Sequence, residues 1–344
     1  MTVFDPTDIS AFPPLKSALT NGVTTYYADI APPPNKTVKG TILFVHGFPE
    51  FWFEWRHQLV HFSLLGYRCI APNTRGYNGN EPKAAQSDRV TRLAHFSYGK
   101  AAADLDALLE HLGIPSCIVV GHDWGSLLVQ RFVSKYPARV QRLVLLTIPY
   151  IPPPTEYVPL EIQAQAVPML RYQLYFNTDK SEREINARPE DFVNIFFRPG
   201  GDAGGIAASV LASIGPEDGN GIFELFPEMT PSTLMTEKEK KAYVDFYKSI
   251  GGMNGPLQWY RMGEASFDEF KDAAMVISVD TLFVGAQYDP FSSGPFLEPI
   301  KAFFPNLTMK EVKSAGHWVA HERPAEVNEA IESWLATEPK KGSL

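Results

Sequence analysis

Asp123 stands between two glycines in Gly121-His122-Asp123-Trp124-Gly125. Residues 117–120, Cys-Ile-Val-Val, lead into it and read as a buried strand; residues 126–132 lead away and read as a helix with one apolar face. A strand that turns sharply into a helix around one residue flanked by glycines is a nucleophile elbow. The glycines are needed because Cβ atoms there would clash where helix packs on strand. Such elbows usually carry Ser, and Asp changes the chemistry. A carboxylate is ionised at pH 7 and needs no base to become a nucleophile. The positive end of the following helix favours that charge. It suits attack on an sp³ carbon bearing a leaving group, which yields an alkyl-enzyme ester. Freeing that ester takes water, a base to activate it, and an acid to orient the base.

The chain order nucleophile, acid, histidine selects the partners. Asp289, in Gln287-Tyr288-Asp289-Pro290, follows residues 281–286, which read as a strand; its carboxylate then falls at the same sheet edge as the elbow. Asp280 precedes that strand and falls at the opposite edge. His317, in Ala315-Gly316-His317-Trp318, follows the last strand, whereas His321 reads as the start of a helix. The oxyanion donors are expected to be the backbone N–H groups of Trp124 and of Phe48, in His46-Gly47-Phe48-Pro49. Gly47 allows a close backbone approach. The leaving group decides the rest. An epoxide oxygen departs as an alkoxide and needs a proton, whereas a halide needs only an N–H cradle. A neutral Tyr can supply the proton. Tyr172, in Arg171-Tyr172-Gln173-Leu174-Tyr175-Phe176, and Tyr260, in Gln258-Trp259-Tyr260-Arg261, have the right chemistry, though packing alone reads both as core aromatics, and Tyr175 and Tyr243 are alternatives.

These residues need a scaffold. Residues 18–30, with Asn21-Gly22 inside, read as a β-hairpin. Strands are expected at 41–45, 67–72, 117–120, 139–147, 281–286 and 307–312. Helices are expected at 55–65, 97–112 (with Ser97 as N-cap and Gly113 as stop), 126–132, 296–303 and 324–336. This alternation implies a mostly parallel sheet with helices on both faces. Between 148 and 274 it gives way to helices, a lid over the strand ends, interrupted by a Gly/Pro-rich segment from 199 to 218. Gly200-Gly201-Asp202-Ala203-Gly204-Gly205 follows no strand, so it reads as a lid loop rather than a nucleotide loop. Phe51, Trp52, Phe53 and Trp55 either line an apolar pocket or fill the core.

The 344 residues are 44% hydrophobic, enough for a sizeable core. The net charge of −8, without any basic block, argues against nucleic acid as a partner. Cys69 and Cys117 lie in apolar runs and read as buried reduced thiols. No leader opens the chain and no apolar run is long enough to span a bilayer, so a cytoplasmic protein is expected. The terminal Lys340-Lys341-Gly342-Ser343-Leu344 only loosely matches a peroxisomal tripeptide. His57 and His61 have i, i+4 spacing, but no His-Glu-x-x-His occurs, so packing or surface roles are expected and no metal.

His46-Gly47-Phe48-Pro49-Glu50, the Asp123 elbow, Tyr172-Gln173-Leu174-Tyr175-Phe176, Trp259-Tyr260-Arg261 and Gly316-His317-Trp318 occur in one order. Together they resemble the soluble epoxide hydrolases of the α/β-hydrolase superfamily, over residues 20–336. The resemblance implies an α/β-hydrolase fold: an eight-stranded, mostly parallel sheet flanked by helices. The core would be residues 1–148 and 275–344, with a helical cap at 149–274. It implies Asp123 as nucleophile, His317 and Asp289 as the water-activating pair, and Tyr172 with Tyr260 binding and protonating the epoxide oxygen. Phe48, Trp124, Gln173 and Trp318 would contact the substrate, a small apolar epoxide that water converts to a vicinal diol without a cofactor. Larger relatives carry an N-terminal phosphatase domain, for which this chain has no room. Asn73 stands where relatives often have Asp, and 199–228 holds no recognisable motif. Two other functions share parts of the pattern. Haloalkane dehalogenases have the Asp and Trp but usually a polar residue at the Phe48 position and no lid tyrosines. A non-catalytic receptor on the same fold would not need the triad. The sequence assigns no oligomeric state.

Overall fold

The computed structural model describes residues 4–85, 87–201, 208–215, 221–226, 230–292, 297 and 300–340. Eight strands form one sheet: β1 (Lys16–Thr20), β2 (Val23–Ile30), β3 (Gly40–Val45), β4 (Tyr67–Pro72), β5 (Cys117–His122), β6 (Val140–Leu146), β7 (Thr281–Ala286) and β8 (Leu307–Val312). Their spatial order is β1-β2-β4-β3-β5-β6-β7-β8. The β1–β2 hairpin turns on Asn21 and Gly22, both at positive φ (45° and 83°), as the tight right-twisted turn requires. β2 runs antiparallel to β4, and every later pair is parallel. β5 and β7 are buried at every residue, because helices cover both faces.

The core helices are α1 (Arg56–Leu64), α2 (Arg89–His95), α3 (Tyr98–His111) and α4 (Trp124–Lys135). Among the described residues nine more fall between β6 and β7: α5 (Leu160–Ala166), α6 (Arg171–Phe176), α7 (Asp179–Ala187), α8 (Pro189–Phe196), α9 (Ala208–Ser213), α10 (Ile222–Leu225), α11 (Glu237–Ser249), α12 (Asn254–Arg261) and α13 (Gly263–Phe270). α14 (Ile300–Phe303), α15 (Val319–Glu322) and α16 (Pro324–Leu335) complete the set. Of these described helices none is long and apolar enough to cross a membrane. Ser97 caps α3 by accepting from the Lys100 N–H at 3.1 Å, and Gly113 ends it at φ 66°. The α2 segment falls in a stretch the sequence reads as polar and buries no residue, its Val90, Leu93 and Ala94 included.

Alternate residues of the strands feed two cores. Leu43, Val45, Val119, Leu143, Leu145 and Phe283 pack with α3 and α4. Phe44, Val120, Val144, Leu146 and Val284 pack on the other face with α1 and α16, and this core continues into the insert through Tyr172, Phe176 and Tyr243. Phe51, Trp52, Phe53 and Trp55 belong to it; Phe51 stacks on Phe246 of α11 with ring centres 3.9 Å apart. They seat the insert.

Polar fastenings add to this seat. Arg56 of α1 and Glu239 of α11 form a buried ion pair at 2.7 Å, and removing either partner would cost about 3–5 kcal/mol. Tyr247 donates to the Pro49 carbonyl, and Trp259 to the Arg75 carbonyl. A Cβ on Gly76 would lie 2.5 Å from the Gly255 carbonyl oxygen, so glycine lets α12 approach the loop after β4. In that loop the Asn73 side-chain oxygen accepts from the Trp52 N–H, a task a neutral amide performs. Most of the glycine-rich stretch expected as a lid loop, part of the 199–228 segment, the helix start at 296 and the terminal tripeptide lie outside the described residues.

Candidate active site

β5 ends at His122 and α4 begins at Trp124; Asp123 bridges them at φ 52°, ψ −124°. For a residue with a Cβ this conformation costs about 1–3 kcal/mol. The neighbours leave no room for anything larger than glycine. A Cβ on Gly121 would lie 2.5 Å from the Gly125 carbonyl oxygen, and one on Gly125 2.1 Å from that of Val45. At the end of the adjacent β3, a Cβ on Gly47 would lie 2.5 Å from Asp123 Cβ. This closeness lets the Phe48 N–H donate to Asp123 Oδ1 at 2.9 Å. Trp124 supplies the first N–H of α4. Asp123 Oδ1 is thus held, while Oδ2 faces His317 Nε2 at 3.5 Å.

Asp289 follows β7 by three residues. Its Oδ1 accepts from the Phe291 N–H and its Oδ2 from His317 Nδ1 at 3.0 Å. Burial opposes charge on His317, but the Asp289 and Asp123 carboxylates outweigh it and lift its pKa from 6.5 to about 9. Burial likewise opposes charge on Asp123. His317 and the Phe48 N–H prevail and hold its carboxyl below the usual range. Asp280 sits at the opposite sheet edge, paired with Arg142 at 2.6 Å.

Beneath these groups lies a second polar cluster, in which Glu50, Glu54 and His122 are fully buried. His122 Nε2 donates to the His317 carbonyl at 2.8 Å. Its Nδ1 faces Glu54 Oε1 at 2.7 Å and Glu50 Oε2 at 3.1 Å. With a donor needed on both sides, His122 is an imidazolium. Burial opposes that charge, and the two carboxylates raise its pKa well above the ordinary value. Glu54 Oε2 accepts from the Gly47 N–H, and Glu50 Oε1 pairs with His321. The cluster therefore grips both the Phe48 loop and the His317 backbone. His321 belongs to it and makes no contact with Asp123. Sequence reasoning missed this cluster, although Glu50 and His122 stand inside the motifs it singled out. His61 is a surface partner of Glu332 at 2.9 Å.

Tyr172 comes from α6 and Tyr260 from α12. Their rings meet edge to face at 5.9 Å, and Tyr260 also sets its edge against Phe48 and Trp124. Burial and the nearby Asp123 carboxylate raise the pKa of Tyr172; burial, Tyr172 and Asp123 do the same for Tyr260. Both stay protonated across the neutral range. Asp123, His317, Phe48, Tyr172, Tyr260 and the apolar Phe196, Leu211 and Phe291 line one space of about 10 Å³, room for a single water. Trp124, Gln173 and Trp318, expected to contact substrate, do not line it. The Gln173 amide donates to the Tyr172 hydroxyl at 3.3 Å. Trp318 is wholly buried and donates to the Phe196 carbonyl, so it braces the wall from behind. Nearby, Glu322 Oε2 accepts from both the Gly200 N–H of the insert and the Gly316 N–H beside His317, at 2.7 and 2.9 Å.

The family profile described as alpha/beta hydrolase fold matches residues 40–192. The chain is 30% identical over 302 residues to bifunctional epoxide hydrolase 2 of Mus musculus, covering 87% of this chain and 52% of that protein. It thus spans about half the length of the bifunctional relatives it matches. Epoxide hydrolase A of Mycobacterium tuberculosis is 29% identical over 341 residues, covering 92% of this chain and 95% of the relative. The crystal structure of epoxide hydrolase A from Mycobacterium thermoresistibile superposes with a TM-score of 0.77 at 27% identity, over 95% of this chain and all of that one.

Proposed function

We propose that the chain is an epoxide hydrolase of the α/β-hydrolase fold, adding water to an apolar epoxide to give a vicinal diol. One observation carries this reading: an elbow aspartate and two buried phenols line the same small space. The insert, residues 149–274, acts as a cap on the core formed by 1–148 and 275–344.

Asp123 Oδ2 attacks an epoxide carbon while Oδ1 stays on the Phe48 N–H. The carbon–oxygen bond breaks, and the alkoxide takes a proton from Tyr172 or Tyr260. The resulting ester has no charge on Asp123. One of the two carboxylates that keep His317 protonated is then gone, so the imidazolium gives up its proton, which replaces the one the phenol lost. Neutral His317, held by Asp289, takes a proton from water. The hydroxide adds to the ester carbonyl, and the oxyanion forms on Oδ1 at the Phe48 and Trp124 N–H groups. Collapse releases the diol, whose oxygen takes the proton back from His317; the carboxylic acid left on Asp123 then passes its own proton to His317, which restores the carboxylate and the imidazolium. The phenols separate this chemistry from halide release, which needs no acid.

The test is a His317→Gln variant mixed with styrene oxide and weighed intact. An adduct one epoxide heavier, located on Asp123, is the expected product. A folded variant with no mass gain would sink the covalent route.

A further inference from the structure

The insert also forms a second cavity, against α4. Arg131 lies seven residues after Trp124, on the same face of α4 and about 10 Å further along it. It is only 4% exposed. Its Nη2 donates to the Ile151 carbonyl at 2.9 Å, and its guanidinium lies 5.7 Å from the Phe270 ring centre. Among the described residues no carboxylate pairs with it, and Nη1 has no hydrogen-bond partner. A buried cation without a counter-charge is costly, and its natural complement is a carboxylate.

Arg131 lines a cavity of about 450 Å³ between α4, α5, α13 and the 151–158 linker. This is within the usual range for a small-molecule site. Its other described walls carry no charge; Ile151, Tyr157, Val158, Ile162 and Phe267 make most of them apolar. Ile151, Tyr157, Val158 and Ile162 are exposed large hydrophobics, clustered around this one opening. The cavity shares no lining residue with the space around Asp123.

We infer that this cavity binds a long-chain carboxylate, its head group on Arg131 and its alkyl chain along the apolar wall formed by Ile151, Val158, Ile162 and Phe267. A single buried cation matches a monoanion, and an apolar wall that reaches the surface at Ile151, Tyr157, Val158 and Ile162 matches a chain. A neutral alcohol of the same length would leave the guanidinium unpaired.

The experiment is calorimetric titration of the wild-type chain with dodecanoate and with dodecanol, both kept below their aggregation limits. Dodecanoate should bind about tenfold more tightly, the difference one charge-assisted hydrogen bond can make. Arg131→Met should abolish that preference. Because Arg131 is buried, exposed Ile162 supplies an independent pair: Ile162→Glu should weaken dodecanoate binding and Ile162→Lys strengthen it. Equal binding of the two probes by the wild type would overturn the proposal. So would dodecanoate binding that neither Ile162 variant changes, since the acid would then occupy another site. Neither probe carries an epoxide, so the result is independent of the ring-opening reading.

Discussion

The two halves of the catalytic space are held by different forces. Asp123, Phe48, Asp289 and His317 stand at the ends of neighbouring parallel strands, and N–H groups or a carboxylate fix each at about 3 Å. Tyr172 and Tyr260 arrive on two helices of the insert and are held by ring edges against Phe48, Phe176 and Trp124. In the proposed reaction the sheet half would supply a nucleophile and a way to release it. The insert half would supply a proton and thereby choose the bond that opens. Directional bonds set the first half and shape complementarity the second, so substitutions should separate them.

The largest effect should come from Asp123→Asn, which removes the nucleophile and leaves the phenols in place. Diol formation should fall by about 10⁴-fold or more, with no adduct by mass, because residues that act as a unit fail together. Retained turnover would transfer the chemistry to another group. The insert half is tested by changing Tyr172 and Tyr260 together to Phe, which removes the hydroxyls and keeps the rings. Single-turnover adduct formation should slow by about 10²–10⁴-fold, whereas release of a preformed adduct should be nearly unchanged. If release slowed and formation did not, the halves would have exchanged roles.

The smallest effect is electrostatic. His317 should titrate near pH 9 in the wild type, and distinctly lower in Asp123→Asn, where one carboxylate is gone. NMR of the imidazole signals would follow both. Since the folded value is raised above 6.5, the stability this group contributes is fully present below about pH 6.5. It is lost as pH rises through about 9. An unchanged value in Asp123→Asn would mean that Asp289 alone sets it, and ester formation would then not make His317 a base.

The same contrast explains what the sequence could disclose. Asp289 and His317 were legible because each follows a β-branched or apolar run in the order the fold demands. Phe48 and Trp124 were legible for the same reason, their glycines marking where backbones meet. Tyr172 and Tyr260 were not legible from pattern, since an aromatic on a helix reads as packing, and only resemblance singled them out. The Glu50–Glu54–His122–His321 cluster stayed hidden because three separate segments supply it, and no spacing connects residue 54 to residue 321. Likewise, nothing in its own helix distinguishes Arg131 from a surface cation. Only the fold buries it.

Glu322 has a mechanical consequence. One carboxylate oxygen clamps the Gly200 amide of the insert to the Gly316 amide beside His317. Lifting the insert at Gly200 would drag the base out of line with Asp123. A space with room for one water must nevertheless widen to admit an epoxide. Widening that leaves Glu322 on both amides keeps the base in line with Asp123.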